Sequence, residues 1–292
     1  MSFYNTLKFI VTHPLNKKNP VAGLVRFGKW QLKSRLLNRP IICNFATKSK
    51  LLVSKGMTGA TQNIYCGLQE FNDMSFLLHF LRDTDQFIDI GANVGSYSIL
   101  ASSEIGATTF AVEPVPKTFE SLQRNIELNN SQDRTQSFNM GVSSTKGKIL
   151  FTAGLDTMNH VAIEGEKNTI EVLVDTFDNL FELNKTTLVK IDTEGFESAV
   201  LEGMEESISN SNLQAIIIEL NGLSKRYGYD DNKIHNKLIE SGFKPYDYNP
   251  FTRTLNLRTS YGQYNTLYLR DYNFILNRVQ AAPLFKIHNT EF

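Results

Sequence analysis

The sequence lacks several features that mark specialised classes of protein. Its two cysteines, Cys43 and Cys66, have no metal-type spacing and cannot form a disulfide framework. No apolar run reaches the ~18 residues that a membrane-spanning helix needs. The short run at 9–11 is ended by His13 and Pro14, unlike the core of a signal peptide. These absences favour a cytoplasmic protein whose contact with a membrane, if any, is peripheral.

The chain also lacks an excess of charge of either sign. Lys and Arg together number 30, and so do Asp and Glu, which gives a net charge of zero. Proteins that bind nucleic acid usually carry a basic excess for the phosphates, so this balance argues against a nucleic-acid partner. Hydrophobic residues make up 41% of the 292 residues, which is ordinary globular usage and predicts a packed core.

Residues 1–45 differ in pattern from the rest and are predicted to form a helical extension. Between Val21 and Leu37, apolar residues recur at roughly helical spacing with basic residues among them. One interpretation is a helix that packs its apolar face on the main domain. The other is contact with a membrane surface or an anionic partner. We assign the main domain to 46–272 and a C-terminal tail to 273–292.

From about residue 50 the chain alternates between strand-like and helix-like segments. Apolar runs predict strands at 86–90, 108–112, 136–142, 148–151, 170–174, 187–191, 214–220 and 264–269. Helical spacing predicts helices at 97–104, 117–129, 195–204 and 233–241. The alternation predicts a Rossmann-like, doubly wound α/β fold with a mostly parallel sheet. Ligands bind outside the carboxyl ends of such strands, so the residues that follow each strand are the candidates for a site.

A glycine turn, DIGANVGS, runs from Asp89 to Ser96. It departs from the dinucleotide fingerprint G-x-G-x-x-G, because Asn93 stands where a glycine would let the backbone approach a pyrophosphate. S-adenosylmethionine has no phosphate and fits this turn. Its carboxylate could bind at the helix N-terminus near Gly95, and its ammonium could be balanced by Asp89, while Gly91 permits the tight turn. A purely structural turn is the alternative.

Candidate residues also follow the next two strands. Glu113 ends the second strand, 18 residues after Gly95, where a carboxylate can accept hydrogen bonds from both ribose hydroxyls of a nucleoside. A solvated surface glutamate is the alternative. Asn139 or Gly141, at the end of the third strand, could border the adenine or simply end the strand.

Three acids and a lysine meet at one strand-to-helix junction, residues 190–197 (KIDTEGFE). Three carboxylates so close repel one another unless a cation or hydrogen-bond donors neutralise them. Lys190 alternates with Asp192 along the strand, so the two can share a face. Glu194 and Glu197 could instead serve the positive end of the following helix.

In their order, these segments resemble the FkbM methyltransferases, which belong to the class I S-adenosylmethionine-dependent group. The resemblance spans about 50 to about 270 and is carried by residues 63–70 (NIYCGLQE), the glycine turn, Glu113-Pro114, and residues 190–197 with Leu201 and Gly203. It implies S-adenosylmethionine as cofactor and a seven-stranded sheet with an antiparallel edge strand. It also implies methyl transfer, usually to an oxygen of a sugar, polyketide or similar metabolite, glycans and glycolipids included. Asp192 stands at a strand end, where it would face the transferred methyl group of the cofactor.

Methylation of an alcohol requires a base that takes its proton. We expect Asp192 to be this general base or a substrate anchor, with Glu194, Glu219 and His160 as alternatives. Glu219 ends the next strand and could converge with Asp192. With Asn221 the two could offer oxygen ligands to Mg²⁺, but no metal is assigned.

Two other function classes stay open. An NAD-dependent or nucleotide-sugar-dependent enzyme on a related sheet is opposed by the missing fingerprint. A non-catalytic binding protein that keeps the fold is opposed by the intact turn and the acids. A further group of aromatic residues could stack on a sugar acceptor or form a core and edge hairpin: Tyr227, Tyr229, Tyr246, Tyr248, Phe251 and Tyr261.

Overall fold

The computed structural model describes residues 3–37, 39–155 and 158–292. The strands are β1 Ile41–Asn44, β2 Lys50–Val53, β3 Gln86–Ile90, β4 Thr108–Val112, β5 Thr135–Phe138, β6 Gly141–Val142, β7 Gly147–Thr152, β8 Thr169–Asp175, β9 Thr187–Ile191, β10 Leu213–Glu219, β11 Lys244–Asn249, β12 Thr254–Leu257, β13 Asn265–Leu269, β14 Lys286–Ile287 and β15 Thr290–Glu291. The α-helices are α1 Phe3–Thr12, α2 Pro20–Leu36, α3 Thr58–Cys66, α4 Phe71–Phe80, α5 Ser96–Ile99, α6 Pro116–Leu128, α7 Phe177–Leu180, α8 Glu197–Glu202, α9 Asp231–Glu240 and α10 Tyr272–Gln280.

A large mixed sheet lies at the centre of the described chain. Its strand order is β12-β11-β13-β10-β9-β3-β4-β5. The strands from β10 to β5 are parallel, whereas β13 runs antiparallel between β10 and β11. The predicted α/β fold is therefore confirmed, but the implied count of seven strands is wrong, because the described residues place eight strands in this sheet.

The additional strand is β12, which forms an antiparallel hairpin with β11. The turn after Asn249 is closed by its side chain, which accepts a hydrogen bond from the backbone of Phe251, and by Arg253 in the left-handed region. Tyr246 and Tyr248 are buried in β11. The edge-hairpin interpretation is thus confirmed for these two aromatic residues.

The predicted strand at 136–142 is divided between two sheets. β5 ends at Phe138 in the large sheet, and β6 pairs with β8 in a three-stranded sheet of order β6-β8-β7. Asn139 makes this break, because its side chain donates to the backbone oxygens of Glu113 and Pro114. The small sheet is thereby set beside the end of β4.

Helices cover both faces of the large sheet, as a doubly wound fold requires. Successive residues of a strand point to opposite faces, so Phe87 joins the core beneath α4 and α10, whereas Ile88 joins the core beneath α8 and α9. Both side chains are fully buried. Strands buried on both faces explain why these runs are continuously apolar in the sequence.

The two terminal segments share the first of these cores. Trp30 of the extension and Phe285 of the tail are buried within it, and the ring of Phe27 packs edge-on against Tyr65 of α3 at 5.1 Å. The interpretation that α2 packs an apolar face on the main domain is therefore confirmed, while the boundaries at 45 and 272 stay predictions. Within the described ranges, no helix has the length and apolar character to cross a bilayer.

Candidate active site

A cavity of about 300 Å³ opens at the carboxyl ends of β3, β4, β9 and β10. Residues that follow these strands form its floor. Gly59 and Gln62 of α3 line one side, and Ile149 and Phe151 of β7 line another. This is the position at which a parallel sheet places a ligand, and it gathers most of the residues that the sequence singles out.

The glycine turn is shaped by its two neighbours in the sheet. Gly91 has φ 81°, and a Cβ atom on it would lie 1.8 Å from the carbonyl oxygen of Asp192. Asn93 is also left-handed, and its amide donates to Oε2 of Glu113 at 3.0 Å. Gly95 packs against α6 with no room for a side chain. The backbone of the turn therefore fits closely between the ends of β4 and β9.

Asp89 and Glu113 are buried carboxylates on the cavity wall. Oδ2 of Asp89 accepts a hydrogen bond from Ser98 at 2.6 Å, but Oδ1 has no partner among the described residues. Burial raises the pKa of Asp89, against the opposing charge of Lys190. Burial also raises the pKa of Glu113 to about 7, although the amides of Val115 and Asn93 bind its carboxylate. Asp89 thus presents an unsatisfied acceptor to any ligand in the cavity.

Lys190 is the buried cation of the site. Its Nζ lies 2.7 Å from Oδ2 of Asp192 and 4.9 Å from the centre of the Tyr97 ring. The hydroxyl of Tyr97 in turn donates to Oε2 of Glu70 at 2.6 Å. Burial alone would lower the pKa of Lys190, but the surrounding carboxylates outweigh it and raise that pKa. Lys190 is therefore charged and holds Asp192 in place.

The structure brings Asp192, Glu194 and Glu219 together. One oxygen of each lies within 4.8 Å of the others. Burial and mutual repulsion raise the pKa of Glu194 to about 7 and that of Glu219 to about 8. Asn221, the other oxygen ligand considered for Mg²⁺, is exposed and accepts from the backbone of Leu223. The acidic cluster alone does not assign a metal.

Glu197 organises the loop that carries these acids. Its Oε1 accepts hydrogen bonds from the amide and hydroxyl of Thr193 and from the amide of Gly195. Glu194 and Gly195 are both left-handed, with φ 55° and 105°. Because Glu197 begins α8 and is buried, its role is to fix this strained loop rather than to meet a ligand.

The remaining candidates divide between the cavity and its surroundings. Ser96 and Gly141 line it. His160 does not, since its ring nitrogens pair with the carbonyl of Met158 and with Glu166. Asn139 is exposed outside it. The structure therefore offers Asp192, Glu194 and Glu219 to a ligand but holds His160 in its own loop.

Sequence reasoning gave no role to Glu70 or Tyr97, although both line the cavity. Glu70 lies in the segment 63–70 that carries the family resemblance, and this was the one available sign of it. The β7 residues Ile149 and Phe151 were also missed, because the fold-back of the small sheet over the cavity depends on long-range pairing.

Comparison with known proteins decides the family. The family model described as a methyltransferase FkbM domain matches residues 89–245, more than half of the chain. The chain belongs to the FkbM methyltransferase family. The match covers the glycine turn, Glu113 and the 190–197 loop, so it includes most of the residues that form the cavity floor.

Individual relatives are more distant. The hexuronic acid methyltransferase AglP of Haloferax volcanii is 27% identical over 207 residues, which cover 70% of this chain and 74% of AglP. Methyltransferase 1 of Beauveria bassiana is 29% identical over 150 residues, 42% of this chain and 60% of that protein. A solved FkbM methyltransferase from Methylobacillus flagellatus is 17% identical with a TM-score of 0.46, and the match covers 72% of this chain and about half, 52%, of that one.

S-adenosylmethionine is the methyl donor of this family, and the cavity fits it. Among the described residues that line the cavity, one lysine faces six carboxylates: Glu70, Asp89, Glu113, Asp192, Glu194 and Glu219. Such a lining attracts a cationic sulfonium and ammonium ligand. The unpartnered Oδ1 of Asp89 is a free acceptor of the kind to which an ammonium group can donate.

Proposed function

We propose that this methyltransferase acts on a hydroxyl oxygen of a sugar. The observation that carries the proposal is that one cavity holds two kinds of carboxylate. Asp89 offers a free acceptor on the side of the glycine turn, and Glu219 has a raised pKa on the side of β10. The first suits the cofactor, and the second suits proton removal from an acceptor alcohol.

In this proposal the glycine turn and its neighbours hold the cofactor. Asp89 would bind the ammonium, Glu113 the ribose hydroxyls, and the turn from Gly91 to Ser96 the carboxylate. Gly141 would border the adenine, and the apolar Phe151 is also on the lining. When bound, S-adenosylmethionine supplies an electrophilic methyl group, so the chain has mainly to orient the acceptor and exclude water.

Asp192 and Glu219 have separate parts in this proposal. Lys190 holds Asp192 by a 2.7 Å ion pair, which suits Asp192 to anchor and orient the acceptor hydroxyl. Glu219 forms no ion pair with a described residue, and burial and the neighbouring acids outweigh the charge of Lys190 and raise its pKa to about 8, near the neutral pH at which a general base is most effective. Glu194, with a pKa of about 7, adds to the repulsion that Asp192 exerts on Glu219.

The charge of the cavity also bears on the acceptor. The name of AglP records action on a hexuronic acid, and this supports a sugar as the acceptor class here. The cavity of this chain, however, is lined by six carboxylates and one paired lysine among its described residues. The ionised members of this set would repel a carboxylate-bearing sugar, most strongly above pH ~8, so we propose an uncharged sugar, free or within a glycan or glycolipid.

The same charge opposes the alternative functions. NAD and nucleotide sugars carry a pyrophosphate, for which protein sites supply positive charge or free helix amides near glycine. This cavity supplies mostly carboxylates. A non-catalytic role is opposed by the raised pKa of the half-buried Glu219 and Glu194, since acids with shifted pKa values in a cleft are typical of functional sites.

Labelled S-adenosylmethionine, offered with neutral sugars, glycolipids and uronic acids, tests the proposal. We expect the label to be transferred to neutral sugars. Glu219→Gln should lower kcat about 10²-fold or more. Asp192→Asn should mainly raise the KM for the acceptor. Asp175→Asn, which changes a buried carboxylate away from the cavity, is the control. Label in uronic acids alone, or an unchanged kcat in Glu219→Gln, would contradict it.

A further inference from the structure

The charges of the chain are unevenly distributed along its length. Residues 1–69 contain 11 Lys and Arg and no Asp or Glu, so all 30 acids lie from Glu70 onward. The zero net charge therefore hides a basic N-terminal part on an acidic remainder. Within the described ranges this basic part comprises α1, α2, the β1-β2 hairpin and α3.

Helix α2 has two apolar faces on opposite sides. Its inner face carries the buried Gly23, Trp30 and Ser34 and packs on the main domain. Its outer face carries four aliphatic residues, here named the outer stripe, with exposures of 65, 47, 62 and 74%: Val21, Val25, Leu32 and Leu36. At about 100° per residue, these four fall within about 60° around the helix axis.

Because α2 carries apolar residues on two faces, its sequence pattern does not show which of them pack on the main domain. The sequence pattern predicts a single apolar face between Val21 and Leu37, but the structure buries Trp30 and exposes Leu32 and Leu36 on the opposite side. A soluble helix normally exposes polar residues there. Gly28 lies in the same row as the outer stripe, and a side chain there would meet nothing within 4 Å. The outer stripe is thus a continuous apolar strip without a partner among the described residues.

Basic side chains border the outer stripe. Lys29 and Lys33 lie along one edge and Arg35 along the other, and all three are exposed. Lys17 and Lys18 precede the helix, also exposed. An apolar strip between rows of cations is the pattern of a helix that lies in the interface of an anionic bilayer. We propose that the outer stripe and its basic borders dock the enzyme on an anionic lipid surface.

Other occupants fit the charges less well. A second copy would bring the same acid-free basic part against this one, and the like charges would repel. A nucleic acid would match the cations but would leave the four aliphatic side chains of the outer stripe in water. The docking surface is separated from the cavity by α2 and α3, since α2 packs on α3 and α3 contributes Gly59 and Gln62 to the lining.

Vesicle co-sedimentation with the full chain tests the docking surface. One set of vesicles is phosphatidylcholine alone, and the other contains phosphatidylglycerol as well. Two double variants divide the surface into its parts: Leu32→Gln with Leu36→Gln, and Lys29→Glu with Lys33→Glu. Leu173→Gln with Leu257→Gln is the matched control, because both leucines are comparably exposed but lie on β8 and β12.

We expect binding to the anionic vesicles, little to phosphatidylcholine, and a loss of about tenfold or more in each test variant but not in the control. High salt should also weaken binding of the native protein to the anionic vesicles, because it screens the charges of the lysines. Absence of binding to anionic vesicles would overturn the proposal. So would binding that depends on the lysines but not the leucines, which would show that the cations adsorb to the headgroups while the outer stripe stays out of the lipid. Self-association that the leucine variant abolishes, without vesicle binding, would indicate a second copy instead.

Discussion

Lys190 is the residue whose buried ammonium offsets the negative charges of the cavity. It pairs with Asp192 and also opposes the raised pKa of Glu70 and Asp89. Removing one partner of a buried ion pair leaves the other uncompensated, which typically costs about 3–5 kcal/mol.

We therefore expect Lys190→Met to lower the melting temperature of the protein, and more so at pH 8 than at pH 6, because the carboxylates that it leaves behind can be protonated at the lower pH. Scanning calorimetry measures this, with Lys185→Met as an exposed control just before β9. An equal loss at both pH values would mean that Lys190 contributes packing rather than charge.

Glu219 sets the expected pH dependence of turnover. Its pKa is raised to about 8, so below that pH it is protonated and cannot accept the proton of the acceptor hydroxyl. The methylation rate should thus rise about tenfold per pH unit below pH ~8 and level off above it. Initial rates across that range measure the profile. A rate that is flat from pH 6 to pH 9 would rule out Glu219 as the base.

Residues at strand ends could be predicted from the sequence, and residues that meet by packing could not. Asp89, Glu113 and Asp192 follow strands whose polarity fixes the edge of the sheet that they occupy. Glu70 and Tyr97 meet only because the start of α4 lies beside α5, and no local pattern reports that contact.

At the scale of elements, the turn between β3 and α5 is held by close backbone packing. Gly91 combines a left-handed φ of 81° with only 1.8 Å between its ideal Cβ position and the oxygen of Asp192. Gly228 has a similar φ of 77° but open space around it. Substituting Gly91 and Gly228 in turn therefore separates the free-energy cost of a left-handed backbone from the cost of the close contact with Asp192.

We expect Gly228→Ala to cost about 1 kcal/mol of unfolding free energy and Gly91→Ala to cost about 3 kcal/mol or more, with loss of cofactor binding. Urea denaturation of the two variants measures the difference. Equal costs would mean that the backbone of the 89–96 turn shifts to accommodate the added methyl group. The close fit of this turn to β9 would then not determine the shape of the cofactor site.

Element boundaries were predictable where burial dominates. The strand 187–191 is predicted with its observed bounds because all five residues are buried. The hairpin of β11 and β12 carries exposed polar residues and Pro250 in its turn, so its pattern resembles a loop. The strand predicted at 136–142 fails for another reason, since its break comes from the side-chain bonds of Asn139 rather than from a glycine or proline.

Over the whole molecule, buried acids and buried histidines act oppositely on stability. Burial raises the pKa of four carboxyl groups to about 7 or 8: Asp73, Glu113, Glu194 and Glu219. Burial lowers the pKa of two histidines from 6.5, that of His13 to about 4 and that of His79 to about 3. Raised acid pKa values favour the folded state at low pH, whereas lowered histidine pKa values favour it at higher pH.

The two effects oppose each other only below pH ~6.5, where unfolded histidines still bind protons. Above that, the acids alone titrate, and the stability that they contribute is lost as the pH rises through about 7 to 8. We expect the melting temperature of the ligand-free protein to fall by about 2 °C or more from pH 6.5 to 8.5. The decline should be smaller in Glu219→Gln, and a rising melting temperature over this range would contradict the assignment.

The central claim is that Asp89 and the glycine turn bind S-adenosylmethionine. Calorimetric titration tests this claim most directly. The native protein and the variants Asp89→Asn and Glu113→Ala are each titrated with the cofactor and with its demethylated product. The account predicts saturable binding that weakens about tenfold or more in both variants, because each loses a charged hydrogen-bond acceptor. It predicts no change in the control Asp175→Asn. No binding to the native chain at millimolar ligand, or equal binding in all variants, would contradict it.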